Sequence, residues 1–181
     1  AANIQKADKS WVSDDLVNCQ KRNFKQIDIV DFSAIPKEVW LPRLEYADII
    51  LFGGGNTFHL MEMLSEHQLR AELPHLIETK VYVGISAGSM VTAPRVSLSR
   101  DSMLYLEETG SLKSEEGLGF VPFQIRPHLN SEHFPNVRLQ NLEKIASDVP
   151  DPFYAIDDQT AIKVINSQVE VISEEKWKKF N

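Results

Sequence analysis

The sequence predicts an α/β domain built on a mostly parallel sheet, and three observations carry that prediction. Short apolar runs alternate with stretches of helical periodicity along most of the chain. The run Asp48–Phe52 (D-I-I-L-F) is apolar without alternation, as expected of a strand covered on both faces. Two glycine-rich turns, Gly53-Gly54-Gly55 and Gly84-Ile85-Ser86-Ala87-Gly88, each follow such a run and precede a helix-compatible stretch.

The elements follow in order. Ser10–Arg22 reads as a helix with Trp11, Leu16 and Cys19 toward a core. Gln26–Asp31 alternates like a strand, and Pro36–Tyr46 reads as a helix with Pro36 near its first turn. Asn56–Glu66 is a helix with Leu60, Met61 and Leu64 on one face, and Gln68–Glu78 is a second helical piece. Strand Lys80–Val83 leads into the serine-bearing turn. Arg95–Leu106 holds strand-like pieces, and Glu107–Gly119 reads as an exposed, charged loop. Phe123–Arg126 is a strand, and Pro135–Ser147 is a helix with Leu142, Ile145 and Ala146 as its apolar stripe. Tyr154–Ile156, Ala161–Ile165 and Val169–Ile172 form a terminal strand group, with Asn166-Ser167 as a hairpin turn. The tail, Ser173–Asn181, reads as charged and peripheral.

The 181 residues, 43% hydrophobic and 25% charged, suit one domain spanning 1–181 with a sizeable core. A net charge of -7 without a basic block argues against nucleic acid or an anionic membrane as partner. No apolar run is long enough to cross a bilayer. The single Cys19 has no disulfide partner, which favours a reducing, cytoplasmic setting and a structural thiol. Ala1-Ala2-Asn3 reads as the loop after a strand that is absent, so a leading segment is expected to be missing. Oligomeric state is not readable.

Gly84-Ile85-Ser86-Ala87-Gly88 is a G-x-S-x-G run between strand and helix. A strand turning sharply into a helix exposes a serine oxygen at the end of a sheet and aims backbone N–H groups at any anion formed there. The same pattern also suits a loop whose serine caps the helix. Gly53-Gly54-Gly55-Asn56-Thr57 is a second backbone-lined anion site, with Asn56 or Thr57 as the helix cap. It lacks the Lys-Ser/Thr of a P-loop and the spacing of G-x-G-x-x-G, so an oxyanion hole shared with Ala87 fits better than a nucleotide loop. A plain tight turn is the remaining reading.

A serine nucleophile needs a base. Among His59, His67, His75, His128 and His133, position favours His128, just past a strand end in Arg126-Pro127-His128. The orienting acid is Asp101 or lies in Asp157-Asp158, also just past a strand; each could equally cap its own turn.

Gly53-Gly54-Gly55-Asn56-Thr57-Phe58, Gly84-Ile85-Ser86-Ala87-Gly88, Pro127-His128 and Ile156-Asp157-Asp158-Gln159-Thr160-Ala161 together resemble the aspartyl dipeptidase (peptidase E) family, which includes cyanophycinases. The similarity spans Ile29–Val164. It implies a three-layer α/β/α fold of the class I glutamine amidotransferase-like, flavodoxin-like type, with a serine where amidotransferases use cysteine. It implies Ser86 as nucleophile, His128 as base and Asp158 as acid, where many relatives carry Glu. The aspartate is one methylene shorter, about 1.5 Å of reach. Gly55 and Ala87 would donate to the oxyanion, and Gly54, Asn56, Asp101 and Arg138 would line the substrate site. Asp101 matches a family aspartate fifteen positions after the serine, and Arg138, with Arg126 as second candidate, offers a cation for a substrate carboxylate. The resemblance implies hydrolysis of short Asp-initiated peptides without a metal or other cofactor. A cyanophycinase-like hydrolase and a non-catalytic ligand-binding relative are the alternatives.

Overall fold

A computed structural model of the chain describes residues 9–101, 103–104, 107 and 114–181. It is a mixed α/β structure whose chain divides into two compact units, Ala1–Gly88 and Ser89–Asn181. Ala1-Ala2-Asn3, residues 108–113 of the Glu107–Gly119 loop and part of Arg95–Leu106 lie outside the described residues.

In the first unit, α1 (Ser10–Gln20) and α2 (Lys37–Tyr46) precede β1 (Ile49–Phe52). Pro36 caps α2 in extended conformation, where its missing N–H costs no helical bond. Helix α3 (Thr57–Glu66) starts at Asn56, whose Oδ1 accepts from His59 N–H at 2.8 Å. It buries Phe58, Leu60, Met61 and Leu64. Helix α4 (Leu69–Leu76) leads to β2 (Val81–Gly84), which runs parallel to β1 with Phe52 opposite Gly84. Helix α5 (Ala87–Met90) follows after Ile85 and Ser86.

The second unit holds β3 (Gln124–Arg126) parallel to β4 (Phe153–Ile156), connected through helix α6 (Leu139–Ile145). All seven residues of these two strands are buried, in keeping with a sheet covered on both faces. One core packs Leu129, Val137, Leu142, Ile145, Phe153, Ala155 and Phe180 together, and a smaller one gathers Phe123, Ile125, Tyr154 and Ile156. Strands β5 (Thr160–Ile165) and β6 (Gln168–Ser173) form an antiparallel hairpin. Its turn residues Asn166 and Ser167 both have positive φ, 49° and 65°, as a two-residue hairpin requires.

Five expectations are corrected. Gln26–Asp31 is not a strand: among the described residues it has no ladder partner, and the Arg43 guanidinium bonds the Asp28 carboxylate and the Ile29 carbonyl instead. Within Arg95–Leu106, Ser97–Arg100 is a 3-10 turn, and Arg95 contributes an isolated bridge to Glu116. Glu107, expected in an exposed loop, is buried and donates its N–H to Ser99 O. The tail is not peripheral: β7 (Trp177–Phe180) pairs antiparallel with β4, and Phe180 is buried and stacked on Phe153 at 4.5 Å. Three lysines in the tail, Lys176, Lys178 and Lys179, hid that strand, because an edge strand tolerates charge on its open side. The helix expected over Pro135–Ser147 is also shorter, since residues 135–138 close the preceding loop.

Candidate active site

The serine region is built from backbone. Ser86 follows β2 with φ +52°, a conformation a side chain adopts at a cost of about 1–2 kcal/mol unless its surroundings enforce it. The surroundings do. Ile85 N–H donates to Phe52 O at 2.9 Å and Gly88 N–H to Gly53 O at 3.2 Å, so both sides of the serine are tied to the end of β1. Gly88 has no room for a side chain: a Cβ there would lie 2.1 Å from Phe52 O. Gly54 faces the serine itself, with its Cβ direction 3.3 Å from Ser86 Cβ and 3.5 Å from the Trp11 ring. Gly55 has φ +123°, which glycine adopts without strain. Tyr82 Oη donates to Gly88 O at 2.7 Å and its ring stacks on Phe52, while burial pushes its phenol pKa up. Ala87 is buried and opens α5, where the first N–H groups have no helical acceptor.

The histidine region is built from side chains. His128 and Asp158 follow the ends of neighbouring parallel strands, β3 and β4, in the register Arg126–Ala155. His128 Nδ1 lies 2.8 Å from Asp158 Oδ1. An ionised carboxylate can only accept, so in this pair Nδ1 carries the proton and the neutral ring keeps Nε2 as an acceptor. The shorter aspartate therefore reaches the imidazole. His128 itself has φ +68°, and Leu129 N–H bonds Ile156 O at 2.9 Å, turning the chain back toward β4. The Phe134 ring stacks on the imidazole at 4.2 Å and 7°. Burial lowers the His128 pKa below its usual 6.5; Asp158 opposes that shift, while the neighbouring Arg126 and His133 add to it. A neutral imidazole oriented through Nδ1, with its acceptor lone pair at Nε2, is suited to general-base chemistry.

The remaining candidates are placed as follows. Asp101 accepts Met103 N–H at 2.8 Å and lines a cavity of about 280 Å³ with Arg95, Ser97 and Asp148. Asp157 is buried and bonds its own turn and Lys176. Arg126 is 1% exposed. Arg138, the residue before α6, directs Nη1 at the carbonyls of Ser131, Phe134 and Val137 and Nη2 at Ser131 O. A guanidinium has five donors, and among the described residues these contacts engage only its two Nη atoms. Of the other histidines, His59 lies 3.7 Å from Glu62 on α3, His67 meets the Phe32 ring edge-on, and His75 is exposed beside Glu78. Among the described residues, no group of three His, Cys, Asp or Glu side chains is arranged to hold a metal ion, and no helix is long and apolar enough to cross a membrane. Phe134 and Trp11 were not legible as site residues; an aromatic in a Pro-rich loop and one on a first helix carry no distinguishing pattern.

Comparison with known proteins gives a consistent answer. The chain is 34% identical to peptidase E of a Nostoc species over 135 residues, 71% of this chain and 54% of that protein. It is 35% identical to peptidase E of Shewanella denitrificans over 64% of this chain and 50% of that protein. The chain thus spans about half the length of these curated relatives. A crystal structure described as peptidase E-type, from Listeria monocytogenes, superposes with a TM-score of 0.80 at 22% identity, covering 96% of this chain and 83% of that one. At that identity the likeness speaks for the fold. The model of peptidase family S51 matches residues 3–172, and the chain belongs to that family.

Proposed function

We propose that the chain carries the catalytic residues of a serine peptidase that hydrolyses short peptides, dipeptides with N-terminal aspartate first among them. The observation that supports this most is the 2.8 Å bond between His128 Nδ1 and Asp158, which leaves Nε2 as a base on an imidazole whose pKa burial lowers. In this reading Ser86 Oγ attacks the scissile carbonyl as its proton passes to His128 Nε2. The N–H groups of Gly55 and Ala87 hold the oxyanion, each contributing about 3 kcal/mol at good geometry. The protonated His128 then gives its proton to the leaving amine, and the same base activates the water that releases the acyl group. Asp158 holds the imidazole in one tautomer and stabilises its charged form without taking a proton.

The dipeptide specificity rests on the sequence resemblance to the aspartyl dipeptidase family, and the relatives called peptidase E support a peptidase. A net charge of -7 does not attract an aspartyl side chain, so a local cation is required. The Arg138 guanidinium is the candidate, with Asp101, Gly54 and Asn56 as further substrate contacts. The full reading includes the three-layer, class I glutamine amidotransferase-like arrangement and, on the lone Cys19, a cytoplasmic setting.

The test is hydrolysis of Asp-p-nitroanilide and of Asp dipeptides, beside Ser86→Ala. Turnover that vanishes in Ser86→Ala supports the proposal. Turnover of a cyanophycin-type β-linked Asp-Arg unit alone would move the substrate, and no turnover of either would leave a ligand-binding relative.

A further inference from the structure

Asp157 is 7% exposed, and the reaction proposed above gives its carboxylate nothing to do. Yet the structure supplies it with an unusually complete set of partners. Oδ1 accepts from Gln159 N–H at 3.1 Å and from Thr160 Oγ1 at 2.6 Å. Oδ2 accepts from Lys176 N–H at 2.5 Å, and Asp157 N–H donates to Lys176 O at 3.2 Å. Thr160 Oγ1 in turn lies 2.6 Å from Ser173 Oγ. The carboxylate therefore fastens the turn after β4 to the residue just before β7, nineteen positions along the chain, next to the rung where Ile156 pairs with Trp177.

The neighbour of Asp157 explains why such a clamp matters. The Asp158 side chain is 52% exposed, while that of His128 is 21% exposed. An exposed carboxylate on a loose turn gains little from an ion-pair contact, because ordering the chain offsets most of it. On a turn already fixed from both sides, that ordering cost is met by the fold, and the aspartate stays in reach of one atom.

We propose that Asp157 is a positioning residue: its carboxylate clamps the turn after β4 against Lys176 so that Asp158 is presented to His128 Nδ1. This rests on the reading of His128 and Asp158 as base and orienting acid. It makes the tail strand β7 part of the support of that pair.

The experiment follows His128 directly, by NMR titration of its imidazole in the full chain, and compares Asp157→Asn, Thr160→Val and Thr160→Ser. Asp157→Asn sets an amide where Oδ1 or Oδ2 accepts. Thr160→Val removes one donor and keeps the carboxylate, so it serves if Asp157→Asn fails to fold. The expected result is that Asp157→Asn and Thr160→Val lower the pH at which His128 titrates and weaken its Nδ1–H resonance. Thr160→Ser, which restores a hydroxyl, leaves both unchanged. On Asp-p-nitroanilide, kcat falls by about tenfold to a hundredfold with KM within about twofold, the pattern of misplacement at the reacting centre. If thermal stability falls while the His128 titration and Nδ1–H signal stay put, Asp157 is structural only and the proposal is overturned. The titration needs no turnover, so an inactive parent chain would remove the peptidase reading and leave this coupling measurable. Asp158→Asn is the reference: if it does not shift His128, the pair itself is absent in solution and both readings fall.

Discussion

The serine region and the histidine region achieve precision by opposite means. Around Ser86 the constraint is steric and lies in the backbone: Gly88 against Phe52 O, Gly54 against the serine, and two N–H bonds to the end of β1. Around His128 the constraint is polar and lies in side chains: Asp158 on Nδ1, Phe134 on the ring face, and the Arg138 fork across the carbonyls of residues 131–137. The lesson is that the first region should fail by volume, in steps of whole atoms, and the second by proton position, in a manner that follows pH.

The largest expected effect isolates chemistry from both constraints. Ser86→Ala is expected to lower kcat/KM on Asp-p-nitroanilide by about 10⁴-fold or more with little change in thermal unfolding. Gly88→Ala comes next and reads the steric region. A Cβ 2.1 Å from a backbone oxygen forces the α5 start away from β1, so a loss of about 3–4 kcal/mol in denaturant unfolding is expected, together with activity. An unfolding midpoint equal to the parent's would show that the glycine fit is not a constraint. Phe180→Ala removes a buried ring stacked on Phe153 and is expected to cost about 3 kcal/mol, which urea titration measures. Asp158→Asn reads the polar region: kcat is expected to fall about a hundredfold with unchanged unfolding, since half-exposure makes the carboxylate less decisive than a buried one. If Asp158→Asn instead lowers stability and spares kcat, the contrast between the regions fails.

The smallest effect is on pH. Burial holds the His128 pKa below 6.5 in the folded chain, so below 6.5 the unfolded chain binds more protons. Stability therefore rises with pH from the folded His128 pKa up to about 6.5 and is level above it. The parent is expected to lose stability as pH falls through that window, and His128→Gln to lose less, in matched thermal melts. A parent curve no steeper than that of His128→Gln would mean that the imidazole is not desolvated.

The same contrast decides what could be read from the sequence. The serine region was legible because steric demands fall on one residue type: Gly54, Gly55 and Gly88 stand beside Ser86 in two short runs. His128 stood out by its place after a strand and by the Pro127-His128 match to the family pattern. The residues alone left Asp101 and Asp158 open, because each also suits a turn; the family resemblance favoured Asp158, and the parallel register of β3 and β4 sets Asp158 beside Nδ1. The tail strand was missed because its charge pattern is that of a solvated edge, while its single buried anchor, Phe180, is the last residue but one. The Gln26–Asp31 alternation was misread because period-2 patterning signals a strand only where a neighbour completes the ladder.

The central claim is that Ser86 is activated by an oriented, neutral His128. Its most direct test is the rate of covalent labelling by a fluorophosphonate, followed by peptide mass spectrometry across pH. The expected result is a single adduct on Ser86, formed at a rate that climbs as His128 loses its proton and collapses in His128→Ala. An absence of adduct on Ser86, or a labelling rate that His128→Ala leaves unchanged, would contradict it.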